Sequence, residues 1–367
     1  MGVWKVGIVG CGNISGIYLR NLRKFRRTEV VACADLDLDR ARAVAEANDV
    51  PKACSTEELL ADSDVQVVLN LTVPKAHYPV SKAALLAGKH VYVEKPLSVE
   101  REEARELMLL AESKGLRLGC APDTVLGAGI QTCRKLIDDG MIGKPVGANA
   151  FMLCPGHESW HPSPEFYYEQ GGGPMLDMGP YYVTALVTLL GGIEAVSGET
   201  RIPRAARTIT SEPKRGNIFE VETPTHIVGL LSFVGGAVGQ ITTSFDVQRS
   251  TLPCIEVYGS EGSLLVPDPN GFGGPVKLFR KGGSNWEDIP LSHGFSENSR
   301  GLGLLDMVCA EDSQREHRLN GRLSYHITDV MLGVLDAADK GIRLAIDSVV
   351  ERPPAMPVSE IFDDSPD

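Results

Sequence analysis

Apolar and polar positions follow two different rhythms along this chain. Between residues 4 and 121, short and almost continuous apolar runs recur: WKVGIV at 4–9, VVACA at 30–34, VQVVLNL at 65–71, KHVYV at 89–93 and LRLGCA at 116–121. Strands that are apolar at nearly every position suit a parallel sheet covered on both faces. Between them the spacing is helical, predicting helices over 17–25, 40–48, 79–87 and 99–114, with a short strand at 52–54. Ser55-Thr56-Glu57-Glu58 has the form of a capping box, and Gly88 and Gly115 close two of the helices. Regular alternation of strand and helix over 1–122 predicts a doubly wound α/β domain.

Beyond residue 122 strands dominate. They are expected at 146–154, 194–202, 225–234, 237–243 and 254–258, with Gly235-Gly236 and Gly259-Ser260-Glu261-Gly262 as hairpin turns. Helices are expected at 128–140, 183–190, 301–309 and 323–340. The second part, 123–350, is therefore read as an α+β domain with a large, mostly antiparallel open sheet. Residues 351–367, with four prolines and five acidic residues, read as a loosely held tail.

Length and charge narrow the picture. The 367 residues, 43% of them apolar, suffice for two cores. Lys and Arg number 36 against 48 Asp and Glu, so the net charge of −12 and the lack of a long basic run argue against a nucleic-acid partner. No run of 18 apolar residues and no export-type start is present, so no membrane span is expected and the cytoplasm is the default location. Eight scattered cysteines without a C-x-x-C pair suit reduced thiols.

Three stretches carry candidate chemistry. The first is the glycine turn Gly10-Cys11-Gly12-Asn13-Ile14-Ser15-Gly16 between a strand and a helix, the context in which backbone N–H groups and a helix N-terminus hold a pyrophosphate. Gly10, Gly12, Asn13 and Ile14 are the expected contacts. Asp35 ends the second strand, 23 residues after Gly12, where a carboxylate bonds a ribose and repels a 2′-phosphate; NAD is favoured over NADP. The alternative for Asp35 is a helix N-cap.

Next comes Glu94-Lys95-Pro96, which places Lys95 at the carboxyl end of a strand, where open α/β sheets bind ligands, and leaves the Lys95–Pro96 peptide a candidate for cis. Downstream, Asp177 and Tyr181 follow Gly171-Gly172-Gly173 and, four apart on one helix, would share a face. A further loop, Cys154-Pro155-Gly156-His157-Glu158-Ser159-Trp160-His161-Pro162, is read as substrate contact through His157, Trp160 and His161, with Asp123 adding hydroxyl contacts. Packing of Trp160 and a zinc site are the alternatives, and no metal is expected.

These motifs together resemble the glucose-fructose oxidoreductase, inositol dehydrogenase and rhizopine-catabolism family, usually written Gfo/Idh/MocA. The resemblance rests on the glycine turn, on Thr72, Pro74 and His77, on Gly88-Lys89-His90-Val91 with Glu94-Lys95-Pro96, and on the G-G-G-x-x-x-D-x-G stretch, and it covers roughly residues 4–345. The resemblance implies an NAD(P)-dependent dehydrogenase of a sugar, glycoside or cyclitol, with NAD held near Thr72, Pro74, His77 and Glu94, and Lys95, Asp177 and Tyr181 as the catalytic set. Tyr181 stands where the family pattern has histidine. The resemblance also implies a homodimer or homotetramer formed through the second domain's sheet. Two alternatives remain open: an NAD-retaining glycosidase of the same family, and a dinucleotide-binding regulatory protein without turnover.

Overall fold

The computed structural model describes residues 2–358 and divides into two units. The first holds residues 2–127, 293–325 and 356–358, and the second holds 128–292 and 326–355. A single crossing at 122 therefore does not describe the chain. Residues 293–325, expected in the second domain, return to the first, where the start of the helix Leu302–Asp312 is anchored by Asp123. Of the tail expected over 351–367, residues 359–367 lie outside the described residues. The described part is not loose, because Arg134 donates to the carbonyl of Pro353 (2.7 Å) and Arg352 to Asp138 (2.6 Å).

The first unit is built as β1 (Trp4–Val9), α1 (Ser15–Leu22), β2 (Thr28–Ala34), α2 (Leu38–Ala47), β3 (Lys52–Cys54), α3 (Thr56–Ala61), β4 (Val67–Asn70), α4 (Pro74–Leu86), β5 (His90–Val93), α5 (Arg101–Ser113) and β6 (Leu118–Cys120). The six strands are parallel in the order β3-β2-β1-β4-β5-β6, so the order reverses between β1 and β4, the switch point at which such sheets bind ligands. Val67, Val68, Leu69, Val91, Tyr92 and Val93 are fully buried, as a sheet covered on both faces demands. The Ser55–Glu58 capping box forms as expected at α3. Helix α4 starts at Pro74, five residues before the expected start, and runs through Pro79. Proline is favoured at the first helical position, where its missing N–H costs nothing, so Pro74 takes that place and His77 falls inside the helix.

The second unit begins with α6 (Ala128–Asp138), β7 (Pro145–Leu153), α7 (Gly173–Asp177) and α8 (Gly179–Leu190). Strands follow: β8 (Ile193–Arg201), β9 (Ala206–Thr208), β10 (Ile218–Glu220), β11 (His226–Phe233), β12 (Val238–Ser244), β13 (Ile255–Gly259), β14 (Gly262–Val266), β15 (Val276–Arg280) and β16 (Glu287–Ile289). The chain ends with α9 (Leu302–Asp312) of the first unit, α10 (Gly321–Lys340) and β17 (Leu344–Ala345). Nine strands make one sheet, β16-β15-β14-β13-β7-β12-β11-β8-β17, antiparallel throughout except for the parallel pair β7/β12. In register across it, Gly198, Gly229, Ile241, Ala150, Ile255 and Val266 form an inner row, and the close approach of Val334 from α10 to Gly198 and Gly229 shows why two of them lack a side chain. The next row, Leu230, Gln240, Asn149, Glu256, Leu265 and Lys277, lies on the other face and is more exposed.

Asp177 and Tyr181 do not share one helix. Asp177 ends the five-residue α7, Met178 breaks it, and α8 restarts at Gly179 with Pro180 in its first turn. Pro180 has no N–H to continue the ladder, so the helix must begin again there.

Candidate active site

The turns that follow β1, β2, β4 and β5 lie at the carboxyl ends of the first sheet. Gly10 follows β1 with φ of 99°, and a side chain there would lie 2.7 Å from the Leu71 carbonyl, so only glycine fits the turn. Gly12 differs: a Cβ built on it meets nothing within 4 Å, and α1 beside it has no side-chain cap. Open space beside an uncapped helix N-terminus is where a pyrophosphate fits. Asn13 and Ile14 complete the turn, Ile14 being the residue before α1.

Asp35 is held at the end of β2 by three donors. Its Oδ2 accepts the Cys11 N–H (2.8 Å) and its Oδ1 the Asp37 N–H (2.9 Å), with Arg40 at 3.4 Å. The N-cap role falls instead to Asp37, whose carboxylate accepts from the N–H groups of Asp39 and Arg40. Arg40 was not singled out from the sequence, although its place in the first turn of α2 was a signal that could have found it.

Beyond β4, the hydroxyl of Thr72 donates to Asn70 Oδ1 (2.6 Å), and Asn70 in turn donates to Ser81 and to the His77 carbonyl. His77, expected to touch cofactor, is instead buried, its Nε2 3.0 Å from the Thr72 carbonyl and its Nδ1 2.6 Å from the Pro96 carbonyl. Burial holds its pKa down, against the pull of the two carbonyls. It is a strut between the turns after β4 and β5. Pro74, as the first residue of α4, fixes the same turn.

After β5, Glu94 Oε1 accepts the Tyr18 hydroxyl (2.7 Å) and Oε2 the Lys95 N–H (3.0 Å). Burial and the Glu94 charge push the Tyr18 hydroxyl well above its usual pKa, so it stays a donor. Tyr18 looked like any core aromatic of α1 in the sequence. Lys95 is half-buried, and the Lys95–Pro96 peptide is cis.

Asp123 is not a substrate contact. It is 1% exposed, and its Oδ2 accepts the N–H groups of Gly301 (2.7 Å) and Gly303 (3.2 Å) at the start of α9. Burial raises its pKa to about 6 even though those N–H groups favour the carboxylate.

In the second unit the loop after β7 is fixed from inside. Arg207 bonds Glu158 and Asp246 (both 2.6 Å), the Glu158 carbonyl accepts two backbone N–H groups, and the Tyr168 hydroxyl lies between the His157 N–H and Glu158. Glu158 thus anchors the loop and is not offered to a ligand. His157 Nε2 lies 3.4 Å from Asp177 Oδ2. Around the imidazole stand Tyr167, Phe245 and Trp160, with ring centroids at 4.2, 4.5 and 5.2 Å. Trp160 is 60% exposed, which does not fit a core packing role; His161 lies beside it, and the exposed Phe166 lies beside His161. Tyr181 is buried. Phe166, Tyr167 and Phe245 escaped sequence reasoning because aromatic residues scattered over 80 positions carry no periodicity. Among the described residues, no cluster of three or more His, Cys, Asp and Glu side chains suits a metal, and all eight cysteines are free thiols.

Residues 4–121 match the profile described as oxidoreductase family, NAD-binding Rossmann fold, and residues 130–265 that of the GFO/IDH/MocA C-terminal domain. The chain is 30% identical over 302 residues to trans-1,2-dihydrobenzene-1,2-diol dehydrogenase of Bos taurus, covering 81% of this chain and 84% of that one. To 1,5-anhydro-D-fructose reductase of Ensifer adhaerens it is 29% identical over 263 residues, 71% and 74% of the two chains. An NAD-binding oxidoreductase of Klebsiella pneumoniae shares the fold, with a TM-score of 0.83 at 22% identity over 94% of this chain and 99% of that one. With a glycine turn shaped for a pyrophosphate, a lysine at the end of β5 and both domain profiles matched in order, the chain belongs to the GFO/IDH/MocA family of oxidoreductases.

Proposed function

We propose that this protein is an NAD-dependent dehydrogenase or reductase acting on a secondary alcohol of a sugar, glycoside, cyclitol or related ring diol. The observation that carries the reading is Lys95, half-buried beside Glu94 at the carboxyl end of β5, in a sheet whose neighbouring strand ends carry the glycine turn, Asp35 and Thr72. When bound, the nicotinamide supplies or accepts the hydride equivalent. Gly10, Gly12, Asn13 and Ile14 hold its pyrophosphate, and Asp35 holds the adenosine ribose. Lys95 donates to the reacting oxygen and stabilises charge developing on it, while Asp177 and Tyr181 take up or return the proton. Trp160 and His161, with the buried His157 behind them, form the surface on which the substrate ring lies, the exposed face of Trp160 being the stacking platform.

Names of relatives support the substrate class: one acts on a dihydrodiol and another on an anhydro sugar. We infer a homodimer or homotetramer formed through the open sheet face, where Leu230 and Val238 are 53% and 59% exposed; a monomeric mass by light scattering would overturn that inference. Free thiols suit a reducing compartment, and the cytoplasm is the inferred location. No helix among the described residues is long and apolar enough to cross a membrane.

The test is a panel of polyols, cyclitols and glycosides assayed by absorbance of reduced cofactor. Net NADH formation is expected, and Lys95→Ala should lower kcat by roughly 10²- to 10⁴-fold while NADH still binds. A normal rate in Lys95→Ala would remove the lysine's role, and glycoside cleavage without net NADH would point to the retained-cofactor glycosidase.

A further inference from the structure

We propose that His157 is a positioning residue for Asp177, donating its Nε2–H to the carboxylate and so fixing the rotamer and charge with which Asp177 handles the substrate proton; the proposal rests on the function argued above. Three observations carry it. His157 Nε2 stands 3.4 Å from Asp177 Oδ2, a long contact of the kind that shortens when a complex assembles. The other ring nitrogen, Nδ1, is buried and has no hydrogen-bond partner in the protein. The imidazole is nine-tenths buried and hemmed by Tyr167, Phe245 and Trp160.

Together these assign the tautomer. A carboxylate only accepts, so a bare Nε2 lone pair facing it would repel, and a proton on Nδ1 would leave a buried N–H without an acceptor. The ring proton therefore belongs on Nε2. Packing alone does not account for histidine here. A phenyl ring would fill the same aromatic box without the cost of burying an imidazole nitrogen unsatisfied, so the polar ring is retained for what its Nε2 does.

The loop is built to hold it. The His157 N–H is tied to the Tyr168 hydroxyl, and Glu158 next to it is locked by Arg207, so the ring is carried on a fixed backbone and not on a mobile one. Other titratable groups also bear on Asp177. Cys154 and His161 are coupled to it electrostatically, Glu158 and Arg207 lie behind the loop, and Tyr181 follows four residues on. A substitution at His157 leaves all of these in place.

Two variants of the full-length enzyme test the proposal. His157→Phe keeps the ring and loses the donor; His157→Gln keeps a donor near the Nε2 position. His157→Phe should lower kcat by roughly 10- to 100-fold, the worth of one hydrogen bond to a charged group, with little change in the Kd for NADH and an unaltered melting temperature. Its acid limb in the pH–kcat profile should move up, since a carboxylate that loses a donor is protonated more easily. His157→Gln should recover most of the rate. A His157→Phe enzyme with normal kcat and pH profile would overturn the proposal, as would equal losses in the Phe and Gln variants.

Asp177→Asn separates this proposal from the reading on which it rests. If Asp177→Asn is as active as the natural enzyme, the role of Asp177 itself fails. If Asp177→Asn is inactive while His157→Phe is not, only the histidine's role fails. Should the variants not fold, ¹⁵N NMR of the histidines in the natural protein still decides: an Nε2–H ring at residue 157 supports the proposal and an Nδ1–H ring overturns it.

Discussion

Asp35 receives opposing electrostatic instructions, and their relative strength decides which dinucleotide is preferred. Two backbone N–H groups at 2.8 and 2.9 Å fix its nearly buried carboxylate, which is ready to accept ribose hydroxyls and repels a 2′-phosphate. Arg40 pulls the other way, because a guanidinium beside the ribose can accept that phosphate. Its contact with Asp35 is 3.4 Å and its side chain is half exposed, so the pair is worth no more than about 1 kcal/mol and Arg40 is free to leave it. The fixed carboxylate should win. NADH should bind more tightly than NADPH in a fluorescence titration. Asp35→Ser should shrink the difference by roughly tenfold or more by removing the carboxylate that repels the 2′-phosphate, and Arg40→Ala should widen it. Equal affinities for the two dinucleotides in the unmutated protein would sink the argument. At the same scale, His77 and Asp123 show what residue type alone does not reveal. His77 lies in the first turns of α4 and Asp123 shortly after β6, places where polar site residues are expected, yet both are spent on holding neighbouring backbone.

Elements were readable wherever one physical signal dominated. The five buried strands of the first sheet, the glycine turn and the Ser55–Glu58 box follow from apolar runs and local chemistry, and they stand within two residues of their expected places. The break between α7 and α8 has only one local mark, Pro180 in the first turn of α8, and the four-residue spacing of Asp177 and Tyr181 masks it. The return of 293–325 to the first unit was missed because no local pattern reports which sheet a later helix will join. Contacts between loops are the least local of all. Nothing in the spacing of His157 and Asp177 announces that they meet, and the turn that brings them together depends on Gly156. That residue has φ of 107°, and a side chain on it would press against Glu158, Tyr168 and Arg207. Gly156→Ala should therefore cost about 1–3 kcal/mol in strain, lower the melting temperature, and raise substrate KM as the aromatic loop shifts. A variant with the natural melting temperature and KM would show that the turn relaxes freely.

For the molecule as a whole, the sign of the pH dependence of stability follows from its buried titratable groups. His317 in the first unit and His326 in the second are each held down to about 4, chiefly by burial. Each is neutral in the fold: the His317 ring donates to the Leu118 carbonyl (3.0 Å), and His326 accepts the Ile193 N–H (3.1 Å). An unfolded histidine takes its proton near pH 6.5, so between about 6.5 and 4 the unfolded chain binds more protons, and stability falls as pH falls. Each contributes at most roughly 3 kcal/mol, complete above about pH 6.5 and lost by about pH 4. Asp123 works in the opposite direction. Its carboxyl keeps a proton up to about pH 6 in the fold but loses it near 4 when unfolded, so across that range it favours the native state at the lower pH. In the first unit Asp123 offsets part of the effect of His317, while His77 and His90, also held below the usual histidine value chiefly by burial, add to it. Calorimetry between pH 4 and 7 should therefore show a melting temperature that rises with pH, and His326→Gln should flatten that slope. Melting independent of pH over this range would mean that the two histidines gain protons without penalty in the fold, contrary to their burial.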